Sequence, residues 1–558
     1  MRHLHRFLGV LVLGAVLAAV GCTDLTEVPY NEITEENFRP TEADIGSLVA
    51  PAYTPVRDVW MTWYGNLDFQ EETADAFVTP VRPNGWYDGG TYIRLHEHRW
   101  TATSNGQPGS LWSRAYNGIT ATNRIIYQIE SEVAPIEDEE LRTLILSELR
   151  AVRAYYYYLV MDSFGNIPIT TDFTDTSLPT QTPRAEAFQF IVDELTEALP
   201  NLLDDGPSAE AYGRMTQWAA RALLGRLYLN AEVYTGTPMW DEVIEVTQPI
   251  IDSGLFSLES DYRAPFAQNN HDSPEIIWHA PYDEVNAPGS NFHMKTLKPE
   301  LRFVFDFPAQ PWGGSASNPQ FIDTYDADDT RMAGTPDEEG RGGTWLVGPQ
   351  FTSDEQFGYD FVQHIPNINA PADLRGFHYG YPVWKYEVYA GMQASSDVDY
   401  PIIRYAEVLM QRAEALLRGA DGPGDPGAIV TQVRERAFAE TDPGKATVTT
   451  AELMEGSSYL YGWYDYDGVV KDGPDGTPVD QNTGGMYGGD DVEYGRFLDE
   501  LGWEFAVEGH RRRDLIRFGV FTSKTWFNHT PNGDHREIFA IPQFALDSNS
   551  NLQQNPGY

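Results

Sequence analysis

Apolar residues recur every three or four positions between Asp138 and Pro168, which is the period of one face of a helix. Acidic residues crowd the start of this stretch, where the helix dipole favours negative charge, and Gly165 and Pro168 supply a stop. The four rings of Tyr155–Tyr158 sweep about 300° around a helix, so they cannot share one stripe. A helix that is aromatic on every side is usually packed on several sides. We therefore expect this helix to stand at the centre of a helical scaffold.

Other stretches have the same helical period and tend to come in pairs. Such repeated pairs are typical of a tetratricopeptide-like array, although the strict consensus of that repeat is absent. The predicted helices are Thr41–Arg57, Leu111–Glu132, Pro183–Leu203, Arg214–Tyr234, Trp240–Leu255, Ile402–Gly419, Ala428–Phe438 and Val492–Phe518.

The helical period disappears in two aromatic-rich regions, 58–108 and 257–400. Pro, Gly, Asn and Asp alternate there with Trp and Tyr, a pattern of loops and short strands. Irregular segments of this length in a compact protein are usually functional. The pattern thus predicts a mainly α protein whose helix pairs support an irregular, loop-rich half with short strands.

The N-terminus resembles a secretion signal that ends at the only cysteine of the chain, Cys22. A basic start precedes the apolar run Phe7–Val20, which is too short to span a bilayer comfortably and reads as a signal peptide over residues 1–21. Small residues directly before a cysteine resemble a bacterial lipobox, although Ala19 stands where Leu is usual. We expect Cys22 to be lipidated; the alternative is an ordinary signal with an incidental cysteine. The mature protein would then be anchored to a membrane without spanning it.

The charge of the chain excludes some partners. A formal net charge of −45 makes nucleic acid an unfavourable partner. Only six of the 38 basic residues are lysine. An acid-rich, lysine-poor surface suits concentrated salt, which screens carboxylate repulsion; genomic base composition is an equally good explanation.

No catalytic, cofactor or metal motif emerges from the sequence. The G-x-G-x-x-G at Gly422 contains two prolines and follows no strand, and the sequence from Asp547 lacks the glycine of a calcium loop. Asp326, Asp328 and Asp329 could touch a cation, but a solvated acidic cluster explains them better. With 83 acidic residues, paired carboxylates of a glycoside hydrolase arise by accident, and nothing singles out one pair. We expect that the protein is not an enzyme and that it binds neither a cofactor nor a metal ion.

The irregular regions do offer aromatic platforms. Apolar faces of sugars stack on Trp and Tyr rings, while neighbouring polar side chains bind hydroxyl groups. For any single ring, burial in the core competes with ligand contact. The candidate ligand-binding residues are Trp60, Trp63, Trp86, Tyr87, Trp312 and Trp345.

Four stretches resemble motifs of the SusD/RagB family of nutrient-binding outer-membrane lipoproteins. Arg153–Pro168 is similar to R-A-Y-Y-Y…F-G-x-[IV]-P, and Arg404–Leu416 to R-Y-A-E-V-L…A-E-A-L. Glu504–Gly519 is similar to E-x-A-x-E-G-x-R…D-L-x-R-x-G, and Ile541–Tyr558 to the closing P-I-P…N-L-x-Q-N-P-G-Y. The basic run that usually precedes the third motif is missing, and Ser550 stands where Pro is common.

The resemblance implies about four tetratricopeptide-like helix pairs that cradle an irregular ligand-binding half. It also implies a SusC-like TonB-dependent barrel as partner, to which an oligosaccharide or other nutrient is delivered from the cell surface. The motif residues would belong to the scaffold, with Asp514 and Arg517 as a buried pair. The expected organisation is a signal peptide (1–21), an N-terminal region (22–235) and a C-terminal region (236–558) holding the irregular segment 257–400. A surface glycoside hydrolase and an adaptor for protein or peptide partners are the alternatives.

Overall fold

The computed structural model describes residues 42–82, 87–103, 106–335, 340–352, 358–363, 365, 368, 378–462 and 488–558. The predicted signal peptide, Cys22 and Trp86 lie outside these residues, so the predictions made for them stay predictions. None of the helices in the described ranges is both long and apolar enough to cross a membrane.

Helices dominate the described residues. In chain order α1–α19 are Glu42–Trp60, Asn66–Glu72, Thr91–His96, Gly106–Glu130, Glu139–Phe164, Arg184–Ala198, Gln217–Leu229, Ala231–Thr235, Trp240–Ser253, Phe292–Thr296, Leu301–Val304, Pro319–Ile322, Thr330–Ala333, Tyr405–Leu417, Pro426–Phe438, Thr450–Leu453, Gly495–Phe505, Arg511–Arg517 and Gln543–Ser548. The strands β1–β8 are Phe77–Val78, Ile167–Pro168, Gln181–Thr182, Ile276–Ala280, Ala316–Ser317, Gly348–Phe351, Gly358–Phe361 and Tyr400–Arg404.

The long helices form a continuous packed array. α1 packs on α4, α4 on α5 and α5 on α6; α7 packs on α9, α9 on α14 and α14 on α15. Contacts between α6 and α7 join the two halves of the array. The expected mainly α fold with tetratricopeptide-like pairing is confirmed.

The polytyrosine helix α5 is the centre of the core, as its sequence predicts. The carboxylate of Asp138 caps its start by accepting from the backbone N–H groups of Glu140 (2.9 Å) and Leu141 (3.1 Å). Gly165, with φ of 74°, ends it. The four side chains of Tyr155–Tyr158 are fully buried in the main hydrophobic cluster. The second half of the helix, from Ala151 to Phe164, is therefore packed on every side.

Some predicted helices are shortened or broken in the structure, including Arg214–Tyr234, which is divided at Asn230 into α7 and α8. The stretch from Ile402 starts as strand β8, which pairs antiparallel with β4, and α14 begins only at Tyr405. The predicted helix Val492–Phe518 is split into α17 and α18 because Val507 (φ 61°) and Gly509 (φ 74°) adopt left-handed backbone angles. A Cβ on Gly509 would lie 2.9 Å from the ring of Trp60, so only glycine allows this close approach.

The loop-rich half consists of short helices and small antiparallel sheets. In the described residues the strands pair two by two, as β1–β5, β2–β3, β4–β8 and β6–β7. The expected short strands are confirmed, and the short helices α10–α13 also lie in the segment 257–400.

Buried ion pairs join the helix array to the loop-rich half. The guanidinium of Arg404 donates to Glu275, Glu504 and Glu508, at 2.7–2.8 Å. Arg517 donates to Asp514 at 2.8 Å, which confirms the buried pair expected from the family motif. These residues are buried within the scaffold.

Candidate functional site

A tight turn at the end of α1 places two aromatic rings at the protein surface. Gly65 closes this turn by donating its N–H to the carbonyl of Thr62 at 2.6 Å. A Cβ on Gly65 would lie 2.1 Å from the carbonyl oxygen of Trp60, so the turn requires glycine. Tyr64 takes a left-handed φ of 63°. This unusual backbone turns Trp63 and Tyr64 outward, with their rings stacked 4.5 Å apart.

Hydrogen bonds fix Trp63 in place on both its backbone and its ring. Its backbone N–H donates to Oδ1 of Asn291 at 2.7 Å, and its indole Nε1 donates to the hydroxyl of Tyr92 at 2.8 Å. The Tyr92 hydroxyl in turn contacts Oδ2 of Asp68 at 3.2 Å. The ring is thus held in one orientation while 39% of the residue remains exposed.

Trp312 comes from a distant part of the chain and stands next to Trp63. Its backbone N–H donates to the carbonyl of Met294 at 2.6 Å, and that of Gly314 donates to the carbonyl of Lys295 at 2.7 Å. These bonds lay the segment 311–314 along α10. The ring of Trp312 lies 5.7 Å from that of Trp63 at an interplanar angle of 56°, and Trp312 is 37% exposed.

A third loop supplies polar groups beside the rings. Oδ2 of Asp88 accepts a hydrogen bond from the hydroxyl of Tyr64 at 2.7 Å. Burial and the adjacent Asp88 raise the pKa of Tyr64, which keeps its hydroxyl protonated as a donor. Tyr87, the preceding residue, is 52% exposed. We call Trp63, Tyr64 and Trp312, together with the loop of Tyr87 and Asp88, the aromatic platform.

A buried charge cluster lies beneath the platform. The ammonium of Lys295 pairs with Asp68 and with Glu72, the latter at 2.6 Å, and lies 4.0 Å from the ring centre of Tyr92. Burial raises the pKa of Asp68 to about 6, although Lys295 acts in the opposite direction. Because Asp68 contacts the Tyr92 hydroxyl that orients Trp63, this cluster fixes the platform from below.

The structure places the six predicted ligand residues in three different situations. Trp63, Tyr87 and Trp312 are exposed and lie on the three loops of the platform. Trp86 lies outside the described residues. Trp60 and Trp345 have exposures of 1% and 0% and leave the candidate set.

Trp60 and Trp345 are buried because distant segments cover them. The indole of Trp60 donates to the hydroxyl of Tyr155 at 2.6 Å and stacks on Tyr400 at 4.8 Å. Trp345 belongs to the main core cluster and lies 6.4 Å from the ring of Phe77. The sequence pattern does not indicate Tyr64, Asp88 and Asn291 as site residues. The adjacency of Tyr64 to Trp63 was the one local signal.

The acidic cluster singled out in the sequence is neutralised by protein cations. Lys445 donates to Asp326 and to Asp328 at 2.6 Å each, while Asp329 pairs with Arg331. Within the described ranges, no group of three His, Cys, Asp or Glu residues could hold a metal ion.

Comparison with known proteins gives two family matches. A family model described as "SusD family" matches residues 274–558, and one described as "Starch-binding associating with outer membrane" matches residues 30–229. Among curated relatives, the starch-binding protein SusD of Bacteroides thetaiotaomicron is 25% identical, and the match covers 74% of this chain and 72% of that protein. SusD-like protein P25 of Formosa agariphila is 23% identical, with 97% and 95% covered.

Solved structures share the fold. A laminarin-binding SusD-like protein matches with a TM-score of 0.64 at 19% identity, covering 93% of this chain and 100% of its own. Surface glycan-binding protein A from Bacteroides thetaiotaomicron, in complex with laminarihexaose, matches with a TM-score of 0.65 at 19% identity, covering 92% and 99%. These relatives are named as binding proteins and not as enzymes, in agreement with the non-enzymatic role expected from the sequence.

Proposed function

The chain belongs to the SusD/RagB family, and from that premise we propose that it captures oligosaccharides at the cell surface. In this proposal the aromatic platform binds the sugar, and the protein delivers it to a SusC-like TonB-dependent transporter in the outer membrane. The protein itself performs no chemistry on the sugar.

The observation that carries the proposal is the pair of exposed tryptophans, Trp63 and Trp312. Two large apolar rings at the surface carry a cost in water, which a ligand with apolar faces removes. Their interplanar angle of 56° forms a bent surface, which fits a curved or twisted chain of sugar rings better than a flat ligand. Asp88 and the tyrosine hydroxyl of Tyr64 lie at its edge as partners for sugar hydroxyl groups.

The fixed positions of both tryptophan rings support a role in ligand binding and not in filling the core. Trp63 is fixed by Asn291 and Tyr92, and Trp312 by backbone hydrogen bonds to α10, so little conformational entropy is lost when a ligand binds. An aromatic side chain with a merely structural role would be covered, as Trp60 and Trp345 are.

The names of the relatives suggest the substrate class. One relative is named for starch and one similar structure for laminarin, and both of these are glucans. We therefore take gluco-oligosaccharides as the first ligands to test. The linkage between their glucose units is to be determined by experiment.

Lipidation at Cys22 and the transporter complete the proposal. A lipid on Cys22 would hold the protein on the outer membrane, facing the cell exterior, where it meets the polysaccharide before the transporter does. In a producing bacterium, Cys22→Ser should move the protein from the membrane fraction to the soluble fraction. Retention of this variant in the outer membrane would argue against the anchor.

Isothermal titration with laminarihexaose and maltohexaose tests the capture role. We expect one of the two to bind, and Trp63→Ala or Trp312→Ala to weaken that binding by about 2 kcal/mol, roughly thirtyfold in Kd. Tyr127→Ala is the matched control, because Tyr127 is also 39% exposed but lies on α4 in the helix array. Equal affinity of all three variants would refute the platform, and release of shorter sugars would show an enzyme instead.

A further inference from the structure

A second cavity lies in the helix array, along the face of α1 between Ile45 and Arg57. Its volume is about 510 Å³, within the range of roughly 300–1,000 Å³ that holds small molecules in proteins. It shares no lining residue with the aromatic platform. Nothing in the capture of oligosaccharides accounts for it.

The walls of this cavity are mainly apolar. They come from α1, from the first half of α5, from the segment 210–214 and from the loop after β4; the aliphatic residues are Ile45, Val49, Ala50, Val56, Leu141, Ile145, Pro281 and Ala287. The sugar platform offers flat aromatic faces, whereas most of the apolar residues of these walls are aliphatic. They fit a compact apolar body better than a hydroxylated sugar.

One polar group of the cavity, Glu148, is already satisfied by the protein. Its carboxylate accepts from Nη2 of Arg214 at 2.5 Å, from Nε of Arg214 at 3.1 Å and from the hydroxyl of Tyr53. Tyr53 in turn accepts from the backbone N–H of Met215 at 3.1 Å. The other carboxylate at the cavity, Glu210, lies 3.7 Å from Arg214 and is otherwise in solvent. Arg214 thus offsets the charge of Glu148, while the charge of Glu210 is mainly solvated.

Arg57 is different, because it forms no ion pair among the described residues and one of its nitrogens lacks an acceptor. It lines the cavity, and its Nη1 is shielded from solvent without a hydrogen bond. No ion pair of Arg57 occurs among the described residues, even though the chain is rich in acidic residues. A shielded guanidinium nitrogen without an acceptor costs free energy, which an anionic ligand would recover.

We propose that this cavity is a second ligand site that binds a small amphipathic carboxylate. The apolar body of the ligand occupies the space between α1, α5 and the loop 281–287, and its carboxylate accepts hydrogen bonds from Arg57. Charge complementarity selects the ligand, since Arg57 is the one cation at the cavity without an anionic partner in the part of the chain that the structure describes.

Titration of the full-length mature protein with sodium octanoate tests this site, with octan-1-ol as the uncharged counterpart. Octanoate should bind at one site, and octan-1-ol should bind at least about tenfold more weakly, because it cannot form the charged hydrogen bond. Arg57→Gln should weaken octanoate to the level of the alcohol, and Arg57→Lys should restore most of the affinity.

Gly46 allows a variant that blocks the cavity and still folds. It lines the cavity on an exposed position of α1, and a Cβ built there meets no atom within 4 Å. Gly46→Phe should abolish octanoate binding, whereas Gly46→Ala should keep it. Both replacements favour the helix over glycine, so loss of the fold is not expected.

The outcomes separate this site from the platform. Loss of octanoate binding in Gly46→Phe with unchanged affinity for the captured oligosaccharide would support the proposal. The proposal would be overturned if Gly46→Phe or Arg57→Gln left octanoate binding unchanged. Equal affinity for octan-1-ol, or no octanoate binding at all, would also overturn it. The results that would overturn it do not depend on whether the platform binds sugar.

Discussion

The contact between Gly118 and Tyr156 offers the sharpest test of how the central helix is packed. Tyr156 of α5 is fully buried, and its hydroxyl donates to the carbonyl of Ala52 at 2.6 Å. Its ring lies directly on Gly118 of α4, where an added Cβ would be 2.4 Å from the ring carbon Cζ. That distance is far below van der Waals contact, so α4 and α5 can approach this closely only because residue 118 has no side chain.

Three variants form a thermodynamic cycle around this contact. Tyr156→Ala should lower the free energy of unfolding by about 3–5 kcal/mol, as for other large buried aromatics. Gly118→Ala in the wild-type background should cost about 1–3 kcal/mol through overpacking. In the Tyr156→Ala background the ring is gone, so Gly118→Ala should instead stabilise the helix by up to about 1 kcal/mol. The coupling between the two changes is then about 1–4 kcal/mol.

Urea denaturation followed by far-UV circular dichroism measures these free energies. Tyr156→Phe isolates the hydroxyl and should cost only about 1 kcal/mol, because it keeps the ring. The packing account fails if the effects of Gly118→Ala and Tyr156→Ala simply add. It also fails if Tyr156→Ala leaves stability unchanged but removes sugar binding, since the ring would then serve the ligand.

Three further predictions follow from charges. Burial lowers the pKa of His293 to about 4, below the value of about 6.5 in the unfolded chain. The contribution of neutral His293 to stability is therefore complete above pH 6.5 and is lost as the pH falls towards 4. Between pH 7.5 and 4.5, His293→Gln should lose up to about 3 kcal/mol less free energy of unfolding than the wild type, as measured by urea titration. An equal loss in both proteins would contradict this. Arg517→Ala should lower the free energy of unfolding by about 3–5 kcal/mol in the same assay, because it leaves Glu414 buried without this partner. Arg517 contacts Glu414 at 2.6 and 2.7 Å. An unchanged free energy of unfolding would show that the pair is dispensable. The melting temperature should rise with potassium chloride concentration, because the net charge is −45 and four of the five lysines in the described residues are buried; a constant value on dilution into low salt would contradict the high-salt hypothesis.

Local sequence predicts the helix array well. The period of apolar residues, the cap at Asp138 and the stop at Gly165 all act within one helix, so the sequence contains the information that places α5. At the break between α17 and α18, the distant ring of Trp60 approaches Gly509 and leaves no room for a side chain there. No pattern within that segment records such a contact.

The same limit applies to the site. Trp60 and Trp63 lie three residues apart in similar surroundings, yet one is buried by Tyr155 and Tyr400 and the other is exposed. Trp312 reaches Trp63 only through the fold, across a separation of about 250 residues. Composition can indicate that aromatic side chains serve a ligand, but tertiary contacts decide which of them do.

The most direct test of the capture role is a crystal structure with the gluco-oligosaccharide that binds in titration. We expect a sugar ring in van der Waals contact with both Trp63 and Trp312, with hydroxyl groups near Asp88. An oligosaccharide ordered elsewhere on the surface, with both tryptophans free, would contradict it.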